Sequence, residues 1–183
     1  GVYQGRYTLN IPKDAWMANM DKDNDAHCIL CGEGYVSGCF REASMTNWTD
    51  EIHDVCPESI KARWIEVIHF VMNSTDEAFK ANLGDYFDVP SLIDYHLFGL
   101  ASCGIDAYGK NQLYMTYDGQ KWFASMYDMD STWGLFWHGG NFVATDYPRT
   151  SYEDYAPENN KQGNLLYIRL EQLFREELQA RWA

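Results

Sequence analysis

An α+β fold is what this sequence predicts, on three observations. Strand-like segments joined by turns fill residues 1–45, three stretches of helical periodicity follow, and a β-hairpin then interrupts before a closing helix. The 183 residues are 46% hydrophobic and 16% aromatic, enough for a packed core and far from disordered composition. Such a length fits one domain, or a piece of a larger protein.

Taken in order, residues 7–11 read as a strand ended by Pro12, and Asp14 is placed to cap a short helix reaching Met20. Asp21, Asp23 and Asp25 are spaced like the start of an EF-hand loop. Ala26 stands where the turn glycine belongs and Gly32 where the bidentate glutamate belongs, so the segment reads as a solvated turn. Cys28 and Cys31 have the gap of a zinc knuckle, but the residues between them are apolar and strand-like. On a strand the two thiols point to opposite faces, which suits small buried hydrophobes rather than one shared metal. The five cysteines are an odd number, so at least one is unpaired within the chain.

Ile60, Trp64, Val67, Ile68 and Val71 recur at helical spacing over residues 58–72, with Pro57 near the start. Thr75 caps a second helix whose first turn carries Asp76 and Glu77, suited to the positive end of the dipole. A third starts at Asp88 and runs to about Ser102; Leu92, Tyr95, Leu97, Phe98 and Leu100 make it apolar nearly all round. The period then changes to two. Residues 112–117 and 121–127 form a hairpin through Asp118 and Gly119, the signal of a type I′ turn. Residues 134–163 form a long irregular segment, a kind that is often functional. Leu166, Leu170, Leu173, Phe174 and Leu178 predict one closing helix, with Arg169 and Arg175 among its polar positions.

A formal net charge of -13 argues against nucleic-acid binding and against docking on anionic membranes. No apolar run reaches the ~20 residues that span a bilayer.

The chemistry concentrates in Asp106, Asn111, Asp128 and Asp130, all oxygen donors suited to a hard divalent cation. An Asp, an Asn five positions later and a hairpin ending in an Asp is also how protein kinases arrange their base and metal ligands. Asp106 would accept the proton of an attacking hydroxyl, while Asn111 and an Asp oxygen would hold magnesium against nucleotide phosphates. If the strand persists, Asp128 and Asp130 point to opposite sides, so one of them faces the site directly. Asp128, at the strand end, is preferred; Asp130 is left a second metal or a supporting role. Asp118 is better explained by its turn. A metal-dependent hydrolase is disfavoured because no His falls within the constellation.

Residues 5–9, 86–98, 106–111 and 122–134, above all the run from Tyr127 to Gly134, resemble the CotH-like atypical protein kinases. The resemblance implies a protein-kinase-like fold, with residues 1–50 a partial β-rich small lobe and 51–183 a helical large lobe holding a catalytic-loop-like hairpin. It implies that strands of the small lobe precede Gly1. It also implies Asp106 as catalytic base, Asn111 with Asp128 or Asp130 as magnesium ligands, and ATP and Mg as cofactors in transfer to protein Ser/Thr hydroxyls. Partners would be a protein substrate or an assembly partner, at a spore coat, cell surface or extracellular site. Two features depart from the family pattern. The lysine that pairs with nucleotide phosphate is missing from residues 28–34, leaving Lys13, Lys22 or Arg41 to substitute, and the usual acidic residue after the first strand is not evident. The alternative is a catalytically inactive kinase-like module of a surface, spore-coat or phage-tail assembly, contacting its partner through the aromatics of 133–137 and 147–155.

Overall fold

The computed structural model describes residues 13–33, 38–104, 107–129, 132–135, 140 and 163–183. The expected strand at 7–11 and most of the irregular segment at 134–163 lie outside these described residues. Among them, β1 (Cys28–Gly32), β2 (Trp48–Asp50), β3 (Gln112–Thr116) and β4 (Phe123–Met126) make one antiparallel sheet in the order β2-β1-β3-β4. β1 is buried along its whole length because it pairs on both edges. Its two faces separate as a period of two requires. Cys28 and Leu30 enter the main core, whereas Ile29 and Cys31 enter a smaller one with Ala15, Met20, Ile52 and Leu113.

The first helical turn, at Ala15–Ala18, is 3-10 rather than α, and Asp14 caps it through its carboxylate. The segment from Asp21 to Asp25 is an exposed turn in which Asp21 Oδ1 accepts from the Asp23 N–H.

α1 (Glu58–Asn73) buries the five residues that the spacing singles out. Its Trp64 is the centre of the core, with the rings of Trp122, Trp48 and Tyr114 at 4.6, 4.8 and 5.1 Å. Such pairs add about 0.5–1.5 kcal/mol each beyond the area they bury. α2 (Asp76–Tyr86) starts at Thr75, whose hydroxyl accepts from the Ala78 N–H at 3.2 Å. α3 (Val89–Ser102) starts at Asp88, whose carboxylate accepts from Ser91 N–H at 3.0 Å, and stops at Cys103 in the left-handed region.

Three expectations need correction. α3, though apolar nearly all round, is not buried all round as such a helix should be: it packs on β4 and the last helix and leaves Phe98 half exposed. The hairpin exists, but Met115 pairs with Phe123, and of Asp118 and Gly119 only Gly119 has positive φ. The connection is therefore a wider loop, because the Asp118 carboxylate gathers Thr116 Oγ1 and the N–H groups of Gln120 and Lys121. The closing helix is two, α4 (Leu165–Leu173) and α5 (Arg175–Trp182), broken at Phe174 where φ is -117° and ψ 32°. The bend lets Phe174 meet Phe79 edge-on at 6.4 Å.

Arg169 is buried rather than a surface polar position. Its guanidinium donates to Val71 O (2.8 Å), Ser74 Oγ (3.0 Å) and Asp76 Oδ1 (3.0 Å), and stacks over Phe79. It ties the Val71 carbonyl near the end of α1 to Asp76 at the start of α2.

Candidate active site

The sheet brings two of the four sequence-singled residues together. Asn111 enters β3 and Asp128 leaves β4, and the pairing of Gln112 with Met126 sets the two hairpin ends side by side. Asn111 Nδ2 donates to Asp128 Oδ2 at 3.2 Å. Both residues have left-handed backbones, φ 58° and 54°, a conformation that Asn and Asp tolerate better than other side chains. The donor set is an amide and a carboxylate, all oxygen toward a ligand, and fits a hard cation such as magnesium. Asp106 and Asp130 lie outside the described residues.

The loop before Asn111 is clamped from several elements. Tyr95 donates its hydroxyl to Ala107 O, and Tyr108 donates to His96 O at 2.9 Å while its oxygen lies 3.1 Å from His96 Nδ1. Burial holds the His96 pKa down to about 4, so the ring is neutral at pH 7. Asn164 is the residue that sequence reasoning missed. Its Nδ2 reaches Tyr108 O (2.9 Å), Gly38 O (3.0 Å) and Gln112 Oε1 (3.1 Å), while its Oδ1 caps α4 by accepting from Leu166 and Tyr167 N–H. One buried amide thus joins the loop, β3 and α4. Only its position just ahead of the α4 periodicity hints at a cap.

Lys13, one of the three basic residues that could substitute for the missing lysine, is held by several partners. Its ammonium contacts Glu51 Oε1 at 2.9 Å, Glu33 Oε1 at 3.0 Å and Cys31 Sγ at 3.3 Å, and sits 5.0 Å over the Tyr127 ring, next to Asp128 in sequence. Burial opposes the charge, but the Glu51 and Glu33 carboxylates outweigh it and raise the Lys13 pKa. Burial and the neighbouring Glu33 push the Cys31 thiol up to about 12, so Cys31 donates to Glu33 Oε1 at 3.0 Å as a neutral thiol. Lys22 is exposed in the acidic turn, and Arg41 Nε donates to Gly163 O at 3.0 Å. Of the three basic candidates, Lys13 is the one seated on the ring preceding Asp128.

The described groups of three or more metal-capable side chains are two, Cys31 with Glu33 and Glu51, and Cys28 with Asp50 and Cys56. No described helix is long and apolar enough to cross a membrane.

No curated protein and no solved structure matches the chain. The family model described as CotH kinase protein matches residues 1–183, the whole sequence. An α+β architecture, a hairpin bearing Asn111 and Asp128 at its two ends, and this match agree with the likeness carried by residues 106–111 and 122–134: the chain belongs to the CotH kinase protein family.

Proposed function

We propose that this chain is an ATP- and Mg-dependent kinase domain that transfers the γ-phosphoryl group to Ser or Thr hydroxyls of a protein. The observation that supports it most is the Asn111–Asp128 contact across the hairpin ends, together with a lysine held by two glutamates over the ring of Tyr127. Asn111 and Asp128, with Asp130, are the residues to hold magnesium, which when bound would neutralise charge on the nucleotide phosphates. Asp106 is the base for the attacking hydroxyl by its place in the motif. Lys13 is the phosphate partner: Glu51, Glu33 and the Cys31 sulfur take its three donors, so an arriving phosphate would displace the weakest of them, the 3.3 Å contact to Cys31.

The test is calorimetric titration with Mg-ATP, followed by transfer of labelled phosphate to a Ser-containing protein. Asp106→Ala should abolish transfer and keep nucleotide binding, whereas Asp128→Ala should remove the magnesium-dependent part of binding. An intact chain that binds no Mg-ATP would overturn the proposal. The second reading, a non-catalytic module, draws on Trp133 and Leu135, which are 70% and 46% exposed just past the hairpin. It expects both substitutions to be silent and Trp133→Ala to weaken partner capture.

A further inference from the structure

Cys28 and Cys31, three apart on β1, end in different surroundings, and the pleat decides which. Cys31 meets Glu33 and Glu51, and that group already contains a cation, the Lys13 ammonium. Cys28 faces the other way. Leu30 is paired with Asp50 across β1 and β2, so Cys28, two residues along, shares the Asp50 side of the sheet. The chain then turns into α1 through Cys56 and Pro57. A Cys28 sulfur, a Cys56 sulfur and an Asp50 carboxylate oxygen all lie within 4.8 Å of one another.

The carboxylate is held in place from behind. Asp50 Oδ1 accepts from Ile52 N–H (3.0 Å) and His53 N–H (3.2 Å), and Oδ2 is 2.8 Å from His53 Nδ1. A proton on Nδ1 donated to the carboxylate leaves Nε2 as a bare lone pair. That nitrogen is buried with no hydrogen-bond partner, on a side chain only 9% exposed. A carboxylate fixed by an imidazole and set among thiols is the arrangement in which outer groups orient metal ligands.

We propose that Cys28, Cys56 and Asp50 form a binding site for a thiophilic divalent cation, zinc foremost, with His53 as a positioning residue and water at the fourth corner. Two sulfurs and one oxygen match zinc, and mark the site off from the all-oxygen pair of Asn111 and Asp128. Zinc–sulfur bonds of about 2.3 Å put tetrahedral ligands roughly 3.8 Å apart, so closure from 4.8 Å asks for shifts of about 1 Å. Cys56, half-buried in the loop before α1 and held by a long 3.9 Å contact from its sulfur to Pro57 O, is the ligand placed to make them.

The thiols have to give up their protons for the site to form. Without a cation the Cys28 thiol stays protonated, held up by its bond to Cys56, by burial and by Asp50. Lys61 senses Cys56, but its ammonium bonds Glu58 at 2.6 Å. Binding releases the two thiol protons to solvent and leaves three anionic ligands around a doubly charged ion, a net charge of about -1. Affinity therefore rises with pH. The site would tie the β1–β2 pair to the entry of α1.

The experiment uses the full chain, freshly reduced, with Co2+ as the probe. Expected are sulfur-to-cobalt charge-transfer absorption and strong visible bands of tetrahedral cobalt, both erased by added Zn2+. They should vanish in Cys56→Ser, persist in Cys31→Ser, and weaken in His53→Ala with a loss of affinity of about 10- to 100-fold. Because Cys28→Ser alters a fully buried position, its arm is replaced by alkylation of the unsubstituted protein, where Zn2+ should slow labelling of the half-buried Cys56 as read by mass spectrometry. Absent bands, bands that survive Cys56→Ser or follow Cys31, or labelling indifferent to Zn2+ would each overturn the proposal. A Cys28–Cys56 disulfide before reduction with no cobalt bands after it would do the same, and identify a redox pair instead.

Discussion

Asn111 and Asp128, 17 residues apart, touch only because β3 and β4 end at the same level of the sheet, and both reach the contact through left-handed backbone. Strain and ligand role can be separated at Asn111. Asn111→Ala should lose about 1 kcal/mol of stability, because alanine is penalised at positive φ, whereas Asn111→Gly should be close to neutral. Both should lose magnesium-dependent nucleotide binding. Urea unfolding and Mg-ATP calorimetry on the two variants give the comparison; retained binding in Asn111→Gly would remove this residue from the site.

Lys13 gives a second prediction. Lys13→Met should lower phosphoryl transfer by about 10²-fold, in the range found when one charge-stabilising donor is deleted. Stability should fall as well, because Glu51, only 14% exposed, loses its cation, whereas the more exposed Glu33 can be solvated. Equal losses in transfer and in thermal stability would indicate that Lys13 is only structural.

His96 sets an acid limit to stability. Its folded pKa is depressed to about 4 by burial, so from about pH 6.5 down to about 4 the unfolded chain binds more protons than the folded one. Stability should therefore fall across that window and level off below it, by up to about 3 kcal/mol for this group. Urea midpoints at pH 7 and 4.5 should differ less in His96→Gln than in the unsubstituted protein.

Arg169 closes the α1–α2 corner with donors that no lysine can reproduce. Arg169→Ala should cost about 2–3 kcal/mol, the scale of hydrogen bonds to a charged group, and Arg169→Lys should recover little of it. Asp76→Ala should cost under about 1 kcal/mol, since that carboxylate is mostly exposed. Thermal denaturation of the three variants orders these effects.

What could be read from the sequence was what neighbours in sequence decide. Asp14, Thr75 and Asp88 announce their helices because a cap bonds within three residues, and Cys28 and Cys31 announce opposite faces because a strand alternates. Lys13 did not stand out among three basic residues, since its partners lie 20 and 38 positions away and only folding assembles them. Arg169 looked like a surface charge because its acceptors are nearly 100 residues upstream. The hairpin loop was misread because Asp118, a turn former in either geometry, organises three donors instead of a two-residue reversal. Asp106 and Asp130 rest on their motif alone.

The ring cluster around Trp64 makes the protein its own optical gauge. Trp48, Trp64 and Trp122 are sealed from water, while Trp16, Trp133 and Trp182 are open to it. Iodide should thus quench the red-shifted share of the emission and spare the blue share until the interior comes apart. A titration that dims only the quenchable share reports events at the surface, and one that shifts the protected share reports the loss of the folded centre.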